Sequence, residues 1–207
     1  TQQIEMMSEN VILVDVNDSV LGSMSKLEAH QGEGTLHRAF SILLFDENNR
    51  LLVQRRASHK ITFPDVWANT VCSHPLSIPT ESDDAISGLG SKVAAIRKME
   101  QEMGIIQGSI PIDDIHFITR MIYRARADEI WVEHELDHIL FARVHSSIQV
   151  KPNPNEISEK NIIQGSTFPL DYDFGKQKVK YVCGMSVPPV MVAKIACQIY
   201  DQWLSKL

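Results

Sequence analysis

The segment Phe40-Ser41-Ile42-Leu43-Leu44-Phe45 is apolar at almost every position. Polar Asp46-Glu47-Asn48-Asn49-Arg50 follows at once, then Leu51-Leu52-Val53-Gln54-Arg55-Arg56. A short apolar run bounded by turn residues reads as a core strand, and the acidic and amide residues reverse the chain into a second one. A chain with this pair must organise itself around a sheet. Val11-Ile12-Leu13-Val14-Asp15 and Val20-Leu21-Gly22-Ser23-Met24 flank the turn Val16-Asn17-Asp18-Ser19 and read as an N-terminal hairpin.

A helix is expected from about Asp83 to Met103. Val93, Ile96 and Met99 step at helical spacing and Gly104 closes the end. Strands follow over Ile115–Ala125, Glu129–Glu135 and His138–Val144, then a turn at Pro152-Asn153-Pro154-Asn155. Pro188–Trp203 reads as a second helix with two prolines in its first turn. Strands, helix, strands, helix is the order of a mixed α/β (α+β) sandwich with helices packed on a sheet.

The 207 residues suit one domain, or one domain with an appendage, and 43% hydrophobic residues supply a sizeable core. A net charge of -6 does not suggest a general nucleic-acid or membrane-surface binder and leaves room for a local basic pocket that takes an anionic small molecule. Three cysteines, an odd number, point to a reducing interior rather than a disulfide framework. Thr1 in place of Met implies a trimmed start. A cytoplasmic location is expected. Where it forms the native end, Ser205-Lys206-Leu207 reads as a peroxisomal address.

His30 and His37 precede the core strand, His74 follows Cys72 by two residues, and Glu133 and Glu135 alternate along a strand on one face. Three imidazoles and two carboxylates suit a divalent ion such as zinc or manganese. Four separate segments supply them, so spacing alone signals the site weakly. His59, His116, His134, His138 and His145 read as polar faces of loops and strands. Cys72, in a polar loop closed by Pro75, is a nucleophile, a proton donor or a small buried hydrophobe; Cys183 and Cys197 read as core. Lys26, Arg55, Arg56, Lys60, Arg97 and Lys98 are candidates for diphosphate oxygens, with Glu102 sharing a magnesium ion. The competing reading of the helix charges is a solvated face.

Whole phrases of the chain resemble the type I isopentenyl diphosphate isomerases of the Nudix superfamily. They are Leu36-His37-Arg38-Ala39-Phe40-Ser41, Lys60-Ile61-Thr62-Phe63-Pro64, Asn69-Thr70 with Cys72-Ser73-His74-Pro75-Leu76, Glu102-Met103-Gly104-Ile105, Tyr123-Arg124-Ala125, Ile130-Trp131-Val132-Glu133-His134-Glu135 and Asn153-Pro154-Asn155-Glu156. The likeness covers roughly residues 10 to 158 and implies a Nudix-like mixed sheet between helices over residues 1–158. It implies interconversion of isopentenyl and dimethylallyl diphosphate through a tertiary carbocation. Cys72 and Glu135 would be the proton-transfer groups and Tyr123 would bond near Glu135. His30, His37, His74, Glu133 and Glu135 would hold an ion (zinc, manganese or magnesium). A magnesium ion would join the diphosphate to Glu102, and Lys26, Arg56, Lys60 and Lys98 would bind the diphosphate. Trp131 would offer a π face to the cation. The implied partner is a small isoprenoid diphosphate, with no nucleic acid or membrane, and the protein a monomer or weak dimer.

Two departures matter. Of the glutamates that the superfamily's hydrolases use for magnesium, only Glu102 remains, in Arg97-Lys98-Met99-Glu100-Gln101-Glu102, and Leu89 stands at an upstream glutamate position. That weighs against the alternative of a Nudix pyrophosphohydrolase. Residues 159–207 lack the family's closing Thr-Pro-Trp segment and resemble instead the end of DNA cytosine methyltransferases, in Gln164-Gly165-Ser166-Thr167-Phe168-Pro169 and Gly184-Met185-Ser186-Val187-Pro188. This atypical segment is expected to pack on the same domain. If it blocked closure, the chain would be a metal- and diphosphate-binding scaffold impaired in turnover.

Overall fold

The structure is a computed structural model that describes residues 5–82 and 88–164. The helix expected at Pro188–Trp203, Cys183, Cys197, the C-terminal tripeptide and nearly all of the atypical segment lie outside the described residues.

β3 (His37–Phe45) is the hub of the sheet. Every one of its nine residues is buried, as a strand covered on both faces requires. One edge pairs in parallel with β8 (Val132–Arg143), from His37 opposite Glu135 to Phe45 opposite Arg143. The other edge is shared by three strands. β1 (Asn10–Val14) meets it at Leu13 and His37, β6 (Val71–Ser73) at Phe40 to Ile42, and β4 (Arg50–Arg56) at Phe45 and Leu51. β2 (Val20–Ser25) pairs with β1, β5 (Trp67–Ala68) with β4, and β7 (Ile115–Arg126) with β8.

Side chains of β3 alternate between two cores, as the period of a strand demands. Phe40, Ile42 and Leu44 pack with Val71, Leu140, Ala94, Ala95, Met99 and Met103. Leu43 and Phe45 pack on the other side with Leu51, Val53, Ile139 and Phe141. The helix partner of the first core is α3 (Leu89–Met103), which follows two single-turn helices, α1 (Lys26–Ala29) and α2 (Pro79–Ser82). α3 begins at Leu89, behind Gly88, rather than at Asp83; residues 83–87 lie outside the described residues. Its packed face is centred on Ala94, Ala95, Met99 and Met103, with Val93 and Ile96 only partly buried. Alanines let the helix approach the sheet closely, which an apolar count does not weigh. Gly104 ends it at φ 63°, its N–H bonded to Glu100 O.

The strands expected at Glu129–Glu135 and His138–Val144 are one strand, β8, beginning at Val132. Asp137 does not break it, because Ser41 Oγ donates to its Oδ2 at 2.8 Å. β9 (Ile157–Gln164), not anticipated, pairs antiparallel with β4 from Arg56 opposite Ile157 to Arg50 opposite Gln164. A boundary drawn at residue 158 therefore falls inside a strand. His138 is no solvated face: it is 2% exposed, its Nε2 lies 2.8 Å from Asp18 Oδ2 and its Nδ1 3.0 Å from Ser91 Oγ. Arg38 Nε also donates to Asp18, at 2.8 Å, so the N-terminal hairpin turn is pinned to β3 and β8. No described helix is long and apolar enough to cross a membrane.

Candidate active site

Strand register assembles the site. The β3–β8 pairing sets His37 opposite Glu135, the β7–β8 pairing sets Tyr123 opposite Glu135, and the β3–β6 pairing sets Ser41 opposite Cys72. Ser25 opens α1 with a capping box in which its Oγ accepts from Glu28 N at 3.2 Å. That single turn carries Lys26 at its start and His30 at its end, so a cation and an imidazole are presented together.

His30, His37, His74 and Glu135 each direct one ligand atom to a common region, all within 4.8 Å of one another, and all four are buried. Their rings lie 4.7 to 5.1 Å apart. Glu135 Oε1 is 2.8 Å from His74 Nε2 and 3.7 Å from Nε2 of both His30 and His37. His37 Nε2 is buried and has no hydrogen-bond partner among the described residues. Convergent imidazole nitrogens with an unpaired lone pair are the donor set a divalent ion needs, so these residues fit a metal. Burial holds the His37 ring down to about 4 and the His74 ring well below its ordinary value, which keeps both neutral, the ligand form. Glu133 does not belong to this group of four. Its Oε2 lies 3.1 Å from the Tyr123 hydroxyl, which is 2.5 Å from Glu135 Oε2. Burial and the neighbouring Glu135 charge raise Glu133 to about 7.

Cys72 belongs to β6 rather than to a loop and is partly exposed. Its thiol donates to Asn69 Oδ1 and lies 3.4 Å from Ser41 Oγ. The amide of Asn69 is oriented by its other end: Nδ2 faces Ile42 O at 3.5 Å and Val71 O at 3.4 Å, so Oδ1 must face the sulfur. Sequence reasoning did not single out Ser41, Asn69 or Asp137 as site residues. A serine inside the apolar run of β3 was the available signal.

Cys72, His30, His74, Tyr123, Glu133 and Glu135 line one cavity with Lys26, Arg56, Lys60, Lys98 and Glu102. Lys98 and Glu102 are about 4% exposed and pair at 3.1 Å, so this side of α3 is not a solvated face. Lys60 Nζ is 2.5 Å from Glu156 Oε2, and Arg56 donates to the carbonyls of Phe63 and Thr62 at 3.0 and 2.9 Å. Burial, then the charges of Lys98 and Lys60, bring Lys26 down to about 8. Four cations crowding each other mark a place for an anion of more than one charge. Burial pushes the Glu102 carboxyl upward, but Lys98 and Lys60 outweigh it and hold the group below its usual range. Trp131 is not brought to the cavity; it sits in the β7–β8 turn, where its carbonyl accepts from Ala127 N at 2.8 Å. Arg97 is also absent from the lining.

The NUDIX domain family model matches residues 35–164. The chain is 43% identical over 180 residues to the isopentenyl-diphosphate delta-isomerase of Gibberella zeae, covering 83% of this chain and 70% of that protein. The chain belongs to the isopentenyl-diphosphate delta-isomerase family of the Nudix superfamily. The Bos taurus isomerase is 44% identical, covering 75% of this chain and 69% of its own length. For the Aspergillus fumigatus isomerase the figures are 44%, 78% and 62%. The chain thus spans between 62% and 70% of these three relatives. Among solved structures, a Deinococcus radiodurans protein superposes with TM-score 0.54 at 17% identity, covering 76% of this chain and 85% of its own. A NUDIX hydrolase from Alicyclobacillus acidocaldarius gives 0.52 at 12% identity, covering 77% and 90%. These two likenesses establish the fold.

Proposed function

We propose that the chain interconverts isopentenyl and dimethylallyl diphosphate, with Cys72 and Glu135 as its proton-transfer groups. The observation that carries this reading is the mixed lining of one cavity. A thiol (Cys72), a carboxylate (Glu135) and a tyrosine hydroxyl (Tyr123) share it with Lys26, Arg56, Lys60 and Lys98. A substrate with an anionic head and a reactive alkene matches both sets of groups.

The cations anchor the diphosphate and thereby fix the alkene against the proton-transfer groups, which matters because an unactivated alkene is a poor base. One group adds a proton to C4, leaving a tertiary carbocation at C3. The other removes a proton from C2, and the electron pair of that C–H bond forms the new double bond. Tyr123, 2.5 Å from Glu135 Oε2, holds that carboxylate in place. His30, His37, His74 and Glu135 would hold zinc, manganese or magnesium, with Glu133 adjoining, and Glu102 would share magnesium with the diphosphate. The ion when bound supplies positive charge that tunes Glu135 as an acid and base.

Incubation with isopentenyl diphosphate and magnesium in deuterated water, followed by NMR, tests the proposal. Dimethylallyl diphosphate deuterated at the new methyl is expected, with Cys72→Ala and Glu135→Gln each abolishing it. Release of phosphate instead would reverse the reading in favour of hydrolysis. Undeuterated, intact substrate would leave a binding scaffold.

A further inference from the structure

Two of the three imidazoles that converge on Glu135 are aimed by backbone acceptors. His30 Nδ1 lies 2.8 Å from Lys26 O, and His37 Nδ1 lies 2.7 Å from Thr35 O. Each contact places the ring proton on Nδ1 and leaves the Nε2 lone pair pointing inward. His74 differs: its Nδ1 is buried and has no hydrogen-bond partner among the described residues. Nothing bonded to that nitrogen orients the ring.

Its Nε2 lies 2.8 Å from Glu135 Oε1, and the backbone on which the ring stands is held as well. Arg97 Nη2 reaches His74 O at 3.3 Å. The same guanidinium grips Glu81 with both prongs, Nε to Oε1 at 2.6 Å and Nη2 to Oε2 at 2.8 Å. Glu81 Oε2 in turn accepts from Leu76 N at 2.8 Å. The clamp thus holds the chain at His74 and again two residues on, with Pro75 between them restricting the torsions. Leu76 also bridges to Val11, and Ser77 N donates to Asn10 O at 2.8 Å, so β1 backs the segment from the far side. Glu81 is 2% exposed, so this is not a surface pair screened by water.

We propose that Glu81 and Arg97 are positioning residues that aim the His74 imidazole at the metal, supplying through the backbone the orientation that His30 and His37 receive at Nδ1. The clamp rests on His74 being a metal ligand, as proposed above. It gives Arg97 a role away from the diphosphate, and it explains why an arginine suits the position. A lysine offers one point of charge and cannot bond two carboxylate oxygens and a carbonyl in one plane.

The test is the zinc affinity of the metal-stripped protein, measured in competition with a chromophoric chelator. Arg97→Lys keeps the charge and loses the fork. The double variant Glu81→Leu with Arg97→Met removes both charges, so neither is left buried and alone. Both are expected to weaken zinc binding by about tenfold to a hundredfold, the range for groups that orient a ligand. The circular dichroism of the metal-free protein is expected to stay that of the parent. His74→Ala sets the scale for losing the ligand itself. Should either folded clamp variant bind zinc within about twofold of the parent while His74→Ala does not, the clamp is wrong. Should His74→Ala bind as the parent does, or the parent bind no zinc, the ligand assignment beneath it fails instead. If the double variant does not fold, Arg97→Lys decides alone.

Discussion

Ser41 shows how much one hydroxyl can join. It lies 3.4 Å from the Cys72 sulfur and donates to Asp137 Oδ2 at 2.8 Å, while Asp137 Oδ1 is buried without a hydrogen-bond partner among the described residues. Burial, then the Glu135 charge, raises Asp137 well above the usual carboxyl range. Removing the hydroxyl with Ser41→Ala strips the carboxyl of its remaining bond. A buried polar group so stranded costs about 1–3 kcal/mol. At about 2–4 °C per kcal/mol for a chain of this size, calorimetry should register a clearly lower melting temperature. An unchanged melting temperature would show that the bond contributes nothing.

At the scale of elements, α3 must stop where the loop before β9 crosses its end. Gly104 is at φ 63°, and a Cβ there would run into the carbonyl oxygen of Lys151. Lys151 N donates to Met103 O at 2.7 Å and Asn153 N to Glu102 O at 2.8 Å, so this loop also covers the last turn that carries Glu102. Gly104→Ala therefore meets both a strained backbone and a clash. A loss above about 1 kcal/mol is expected from urea unfolding, since the left-handed penalty alone is about that size for an L residue. A variant as stable as the parent would mean that the loop yields freely. The C-terminal glycine of α3 was legible in the sequence, because a glycine after a periodic run has a local cause. The true start of the helix and the union of β8 were not. Both depend on partners far along the chain: Ser41 satisfies Asp137, and Phe117 sits 2.7 Å from where a Cβ on Gly88 would stand.

For the whole molecule, the cost of burying the His37 and His74 imidazoles appears in its response to acid. Burial lowers His37 from 6.5 to about 4 in the folded state and takes His74 well below 6.5. An unfolded chain binds these protons first. The stability conferred by neutral rings is therefore complete above about pH 6.5 and is lost as pH falls toward about 4. For His37 alone the loss is on the order of 3 kcal/mol. Urea unfolding of the metal-free protein at about pH 7.5 and about pH 4.5 should show it, and equal stabilities at the two pH values would contradict it. Bound metal competes for the same lone pairs, so its release should follow the same direction.

Local chemistry is what the sequence determined by itself. Apolar runs between turn residues gave most strands, glycine gave the end of α3, and the phrases around Cys72, His74 and Glu135 gave the family. Tertiary structure decided which of the named residues meet. His30, His37, His74 and Glu135 converge because β3 and β8 lie in register and α1 folds back over them, whereas Glu133 stands with Tyr123, and Trp131 and Arg97 stay off the cavity. It also decided the roles of Glu81, Asn69 and Ser41, whose partners in the clamp and around the thiol come from separate elements. A sequence states which donors and acceptors exist. Only the packed chain, which must pair each buried one, settles which of them face each other.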